Sequence, residues 1–194
     1  EIDPDIVDAG RKFFDMNDPR LNVIIQDGRW ALDKSANRYQ IISVDAYRPP
    51  YIPWHLTTHE FFQIVYDHLT TDGVMVINVG RSGDDRRLIE TLGSTIQSVF
   101  PGVHVMDIPG TFNSIIFATV QPTTQANLVQ NLDYLITDPN TDPLLIETLQ
   151  ITAANFRPPP SPGLVFSDDL APIELITNQM VLDFIISGDM EKLR

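Results

Sequence analysis

Short runs in this chain end, one after another, on a carboxylate. Glu1 leads the segment Glu1-Ile2-Asp3-Pro4, Asp27-Gly28 follows a short strand read over Val23 to Gln26, and Asp45 closes the run Tyr39 to Val44. The first two acids stand 26 positions apart and the second two 18. In an open α/β sheet, ligands bind in the crevice beyond the carboxyl ends of the strands. An acid at a strand end, an Asp-Gly and an Asp after an apolar strand are the groups with which nucleoside-binding α/β domains hold adenosine. The first takes the ribose hydroxyls, the second the adenine amino group, and the third faces the reacting centre. No glycine-rich turn stands before the first acid. The spacing puts Glu1 at the end of a strand, so the sequence reads as a sheet without its first βα unit.

The remaining pattern alternates strands and helices. Asp3 caps a helix with Pro4 at its first position, and Asn17-Asp18-Pro19 stops it. Tyr39 to Val44 has the continuous apolar end of a buried parallel strand. A loop over 46–56 follows, and Thr57 is read as the N-cap of the next helix in a capping box with Glu60. Strands follow over Val74 to Val79, Val103 to Asp107 and Ser114 to Val120, the last two as a closing antiparallel pair. Helices are expected over Asp85 to Val99, from Thr124 to Ile136, over Pro143 to Asn155 and over Pro172 to Ile186. The four prolines between Arg157 and Gly163 mark a surface loop. This alternation indicates an α/β fold with a mostly parallel sheet of five strands.

Composition narrows the function. A net charge of −13 disfavours nucleic acid, which needs a basic footprint. It suits solubility first and a cationic substrate second. With no cysteine there is no disulfide, thiolate zinc site or cysteine nucleophile. His55 and His59 are four apart, but a lone pair of this kind does not make a metal site, and none is expected. No apolar run reaches the roughly 18–20 residues of a membrane span.

At these residues the chain resembles the spermidine synthase family, aminopropyltransferases with a methyltransferase-like Rossmann fold. The resemblance runs from Glu1 to about Val120 and rests on Glu1-Ile2-Asp3, Asp27-Gly28 and Asp45-Ala46-Tyr47, each after a strand. The segments Ile52-Pro53-Trp54-His55-Leu56-Thr57-Thr58-His59-Glu60-Phe61-Phe62 and Asp168-Asp169-Leu170-Ala171-Pro172-Ile173-Glu174 resemble a spermidine-synthase-like subgroup. Some members of that subgroup are fused to membrane segments. The resemblance implies a Rossmann-like sheet of the S-adenosylmethionine-dependent methyltransferase type with flanking helices. It implies one domain over 1–194, with a core over 1–120 and a helical part over 121–194. The strand bearing Asp45 would then have an open edge, filled by another polypeptide, either a missing N-terminal segment or a partner copy in a homo-oligomer, unless the sheet is rearranged.

The resemblance also assigns roles. Glu1 would bind the ribose of decarboxylated S-adenosylmethionine, Ile2 would touch the adenine, and Asp27 beside Gly28 would accept from the adenine amine. Asp45 would take the proton of the attacking amine, with Tyr47, Tyr51 and His55 at the acceptor. Tyr47, Tyr51, Trp54 and His55 together would gate the site. The co-substrate would be decarboxylated S-adenosylmethionine, or S-adenosylmethionine itself, with no tightly bound cofactor. The partner would be a small amine, and the compartment cytoplasmic, or the soluble part of a membrane-fused protein. One position departs from the polyamine-making pattern. Arg48-Pro49 stands where those members carry a second aspartate for the diamine. A methyltransferase on the same scaffold and a non-catalytic binding domain are the alternatives. Asp168, Asp169 and Glu174 read as caps and first-turn acids of the last helix.

Overall fold

A computed structural model describes residues 1–47, 51–82 and 84–187. Arg48, the departure noted above, lies outside them. The chain forms two compact units, Glu1–Asn37 and the rest from Arg38.

In the first unit α1 (Pro4–Phe13) begins as its sequence dictates. Asp3 is the N-cap, its Oδ1 accepting from the Asp5 N–H at 2.8 Å, and Pro4 opens the first turn. Asp5 in the first turn and Arg11 and Lys12 in the last complement the helix dipole. The helix ends earlier than Asn17, at Phe14, after which Asp15 turns left-handed at φ 53°. A second helix, α2 (Gly28–Asp33), is capped by Asp27. The strand expected over Val23 to Gln26 does not form. Among the described residues its main-chain bonds go to Glu1: the Glu1 nitrogen donates to the Ile24 carbonyl at 3.4 Å and the Gln26 N–H to the Glu1 carbonyl at 2.9 Å. That is a single parallel rung, and a strand needs a ladder.

The second unit is built on a five-stranded sheet in the order β1-β2-β4-β3-β5. The strands are β1 (Tyr39–Val44), β2 (Leu69–Gly80), β3 (Gly102–Asp107), β4 (Asn113–Thr119) and β5 (Phe156–Arg157). β1 pairs parallel with β2, in register Val44 to Ile77. β4 enters antiparallel between β2 and β3, closing the pair the sequence pattern anticipated. β1, β2 and β3 therefore run the same way, yet only β1 and β2 are parallel neighbours, so the sheet is less parallel than expected. β5, absent from the sequence reading, adds Arg157 and Phe156 beside Val105 and Met106.

One face of this sheet carries the core. Met75, Ile77, Val79, Val105, Ile116 and Ala118 are all buried there. They meet α3 (His59–Asp67) and α4 (Arg87–Gln97), and α7 (Ile173–Ser187) packs against α4. The opposite face lies under α5 (Gln125–Thr137) and α6 (Pro143–Ala154), which contribute no buried residue. A cavity of about 700 Å³ separates them from Val76, Phe117 and Met106.

Four details correct the sequence reading. β1 is not a buried strand: it is the sheet's edge, Ile41 is 68% exposed, and Val44 is its buried residue. Its outer edge has no neighbour among the described residues, as the open-edge reading required. The N-cap of α3 is Thr58, not Thr57; its Oγ1 accepts from the Phe61 N–H, while the Thr57 hydroxyl donates to Trp54 in the preceding 3-10 turn Trp54–Leu56. Glu60 makes no capping box: its Oε2 accepts the Asp168 N–H at 3.0 Å. The proline-rich stretch is not all surface, since Pro160 is buried and its carbonyl accepts from Gln97. No helix of the described residues is long and apolar enough to cross a membrane.

Candidate active site

Because β1, β2 and β3 share a direction, their carboxyl ends meet at one edge of the sheet, where α/β folds place their ligands. Asp45 leaves the end of β1, exposed to solvent. The register of Val44 with Ile77 sets it level with Asn78 on β2. Tyr47, two residues on, turns back to that point, and its hydroxyl donates to the Asn78 carbonyl at 2.6 Å. Burial, with a smaller push from the charge of Asp45, raises the Tyr47 hydroxyl to about 12 against the pull of a backbone hydrogen bond at Gly80. Tyr47 is thus a neutral donor across the working pH range. Among the described residues the buried Asn78 side-chain oxygen has no hydrogen-bond partner, and an orphaned acceptor of this kind costs about 1–3 kcal/mol.

The cavity beside Tyr47 holds about 300 Å³. The turn after β2 (Gly80, Arg81, Ser82) forms one side, Leu88 and Phe112 another, and the α7 residues Thr177, Met180, Val181 and Phe184 the third. The rings of Phe112 and Phe184 stand edge to face, 6.1 Å apart. Arg81 is fixed by the hairpin between β3 and β4: its N–H donates to the Phe112 carbonyl and its guanidinium to the Thr111 carbonyl.

Tyr51 binds α7 from the same loop, its hydroxyl donating to Asn178 Oδ1 at 2.6 Å. His55 sits half-buried in the 3-10 turn with its ring edge-on to Trp54 at 5.8 Å. Of the four aromatic residues of the expected gate, Tyr47 and Tyr51 approach α7, while Trp54 and His55 pack on each other.

The first unit holds the other expected residues. The Glu1 carboxylate folds back on its own backbone, its Oε1 accepting from Ile2 at 2.9 Å and Asp3 at 3.0 Å. Asp27 Oδ1 accepts the Trp30 N–H at 2.9 Å, and Gly28 begins α2 with open space where a side chain would be. The bond from Gln26 to Glu1 brings the two acids to one end of this unit. Ile2 is 68% exposed.

One ionic cluster was invisible to sequence reasoning. Asp107, at the end of β3, is buried, and Arg86 contacts both of its oxygens at 2.9 and 3.0 Å. Arg157 donates at 2.6 Å, Ser114 at 2.6 Å, and the Arg81 Nε lies 3.9 Å away. Burial alone would raise the Asp107 carboxyl, but the hydrogen bonds from Ser114, Arg86 and Arg157 outweigh it and hold it at about 2. No local pattern relates these residues, because they come from the turn after β2, the N-cap of α4, β3, β4 and β5. Of the acids expected at the last helix, Glu174 lies in its first turn, but Asp168 stands five residues before α7 begins at Ile173 and instead accepts from Thr58 at 2.7 Å, tying the approach to α7 onto α3.

Comparison with known proteins accords with this arrangement. The sequence profile of the spermine/spermidine synthase domain matches residues 1–138. A probable polyamine aminopropyl transferase of Bifidobacterium longum is 31% identical over 202 residues, covering 97% of this chain and 45% of that protein. The chain thus spans less than half the length of this relative. A spermidine synthase crystallised with the transition-state analogue AdoDATO superposes with a TM-score of 0.60 at 22% identity, over 94% of this chain and 60% of that one. Human methyltransferase-like protein 13, in complex with SAH, gives 0.60 at 23% identity over 81% and 71%. These two likenesses establish a Rossmann-like fold of the kind shared by spermidine synthases and methyltransferases. The profile match and the Bifidobacterium relative establish that the chain belongs to the spermine/spermidine synthase domain family.

Proposed function

We propose that this chain carries out aminopropyl transfer from decarboxylated S-adenosylmethionine to a small amine. The observation that carries the reading is the exposed carboxylate of Asp45 at the end of β1, level with Asn78 and next to the cavity that Tyr47 borders. In this reading Glu1 and Ile2 hold the ribose and adenine, and Asp27, with Gly28 giving room, accepts from the adenine amine. Tyr47, Tyr51 and His55 surround the acceptor. The co-substrate binds and leaves; no tightly held cofactor takes part.

The chemistry asks one thing of Asp45. An alkylamine, with a pKa near that of lysine at about 10, is mostly protonated at neutral pH and cannot attack. Asp45 accepts its proton, and the freed nitrogen lone pair forms a bond to the propyl carbon next to the sulfonium. The carbon–sulfur bond breaks with its electrons going to sulfur, releasing methylthioadenosine as a neutral thioether. A positioned carboxylate both removes the proton and complements the cationic donor. The reading includes a cytoplasmic location and completion of the sheet at the open edge of β1 by another polypeptide or a second copy.

Release of methylthioadenosine from decarboxylated S-adenosylmethionine is the test. Asp45→Asn should lower kcat by roughly 10²–10⁴-fold, the range for loss of a general base, and leave methylthioadenosine affinity nearly unchanged. Normal turnover in that variant would remove Asp45 from the mechanism. The likeness to methyltransferase-like protein 13 supports a second reading, methyl transfer from S-adenosylmethionine. Formation of S-adenosylhomocysteine instead of methylthioadenosine would select it.

A further inference from the structure

Resting on the aminopropyl-transfer reading, we propose that the acceptor is a primary monoamine with an apolar tail, aryl-alkyl or branched-alkyl, and that the cavity between the end of β2 and α7 takes that tail. The wall of this cavity is mostly apolar: Leu88, Phe112, Met180, Val181 and Phe184 line it with the ring of Tyr47, and Ser82, Asn113, Thr177 and Arg81 are its polar side chains. Among the described residues that line it there is no aspartate or glutamate, and Arg81 is its one charged group.

A diamine fits such a wall poorly. Its reacting nitrogen can meet Asp45, but its distal ammonium would enter the cavity, lose its water and face a guanidinium. An ammonium buried without a partner is strongly disfavoured. An apolar tail reverses the balance, because each methylene it buries is removed from water. An aryl tail gains further, since the edge-to-face pair Phe112 and Phe184 offers both a ring face and a ring edge to a third ring.

Polarity is graded across the site in the order such a molecule needs. Asp45 lies level with Asn78, and the Tyr47 hydroxyl bonds the Asn78 carbonyl, so the carboxylate and the mouth of the cavity are at one height on the sheet. The amine then sits at the charged end, and its tail runs past the Tyr47 ring toward α7. The displacement itself is unchanged: the nitrogen gains the propyl carbon, sulfur keeps the bonding pair, and Asp45 takes the proton.

The experiment compares 2-phenylethylamine, 3-methylbutylamine and putrescine. Methylthioadenosine release from decarboxylated S-adenosylmethionine measures turnover, and calorimetry measures amine binding. We expect kcat/KM for phenylethylamine to exceed that for putrescine by at least tenfold. Val181→Asp, at an exposed position on the cavity wall, should raise putrescine and lower phenylethylamine, each by at least tenfold. Phe184→Ala should raise KM for phenylethylamine by at least tenfold. A wild-type preference for putrescine, or indifference of both amines to both variants, overturns the proposal. If no amine is turned over, the transferase reading fails, and calorimetry decides the cavity separately. Phenylethylamine binding weakened by Phe184→Ala upholds the cavity as an apolar-tail site; no such binding overturns it.

Discussion

Neutralising Asp107 tests the ionic cluster that joins five segments at the carboxyl edge of the sheet. Its side chain is 8% exposed, so solvent screens its contacts little. Its carboxyl is lowered from 3.8 to about 2. At about 1.4 kcal/mol per pKa unit, this amounts to about 2.5 kcal/mol of stability linked to its ionisation. The sign follows from the depression. The contribution is complete above the unfolded value near 4, where the carboxylate is charged in both states, and it is lost as pH falls toward 2. Asp107→Asn leaves Arg86 and Arg157 at a buried neutral group, and breaking a buried pair in this way costs about 3–5 kcal/mol. Asparagine keeps one acceptor for Ser114 or Arg86, which points to the lower end. Urea unfolding of both proteins, at about pH 6 and about pH 2.5, measures the difference. The wild type should be the more stable at the higher pH by about 3 kcal/mol, and the gap should narrow by about 2 kcal/mol at the lower one. A gap that does not change with pH would show that the arginines do not hold the carboxylate ionised. A gap below about 0.5 kcal/mol at the higher pH would place it among ordinary surface substitutions.

Other consequences are as direct. Gly93→Ala should destabilise by about 1–3 kcal/mol, read as a lower melting temperature, because an added Cβ would overlap the rigid Pro160 ring. Thr58→Ala removes both the α3 cap and the bond to Asp168 and should cost about 1–2 kcal/mol, whereas Thr58→Ser should cost well under half of that in the same melt. Tyr47 should titrate near 12 in an ultraviolet titration, and Tyr47→Phe should delete that step. Since its hydroxyl is raised in the folded state, stability should fall as pH rises from about 10 to about 12, and the variant should lack that loss.

Much of this protein is written in stretches of a few residues. Asp3-Pro4 starts α1, Asp142-Pro143 starts α6 and Thr124 starts α5, because a cap and a first-turn proline act within three or four positions. The apolar runs of β1 to β4 are equally local, and so is the Asp45-Ala46-Tyr47 signature that led to the family. Distant partners decided the rest. The Val23 to Gln26 run has strand composition, but among the described residues it pairs with Glu1 alone and no ladder formed. Thr57 and Thr58 are equivalent caps by composition; Asp168, 110 positions away, bonds the second. Glu60 was drawn off the capping box by the same distant segment. β1 reads as buried because its residues are apolar, but burial depends on how many neighbours a strand has, and among the described residues it has one. The Asp107 cluster and the α7 wall of the cavity follow the same rule. Charges and apolar groups brought together across separations of up to 50 positions in the cluster, and more across the cavity, leave no period or spacing along the chain. The sequence by itself therefore determined elements and family, since these follow from short-range hydrogen bonding and apolar periodicity. Only the tertiary structure decided which face, edge and cavity each carboxylate and aromatic ring serves, because those depend on through-space contacts that chain order does not encode.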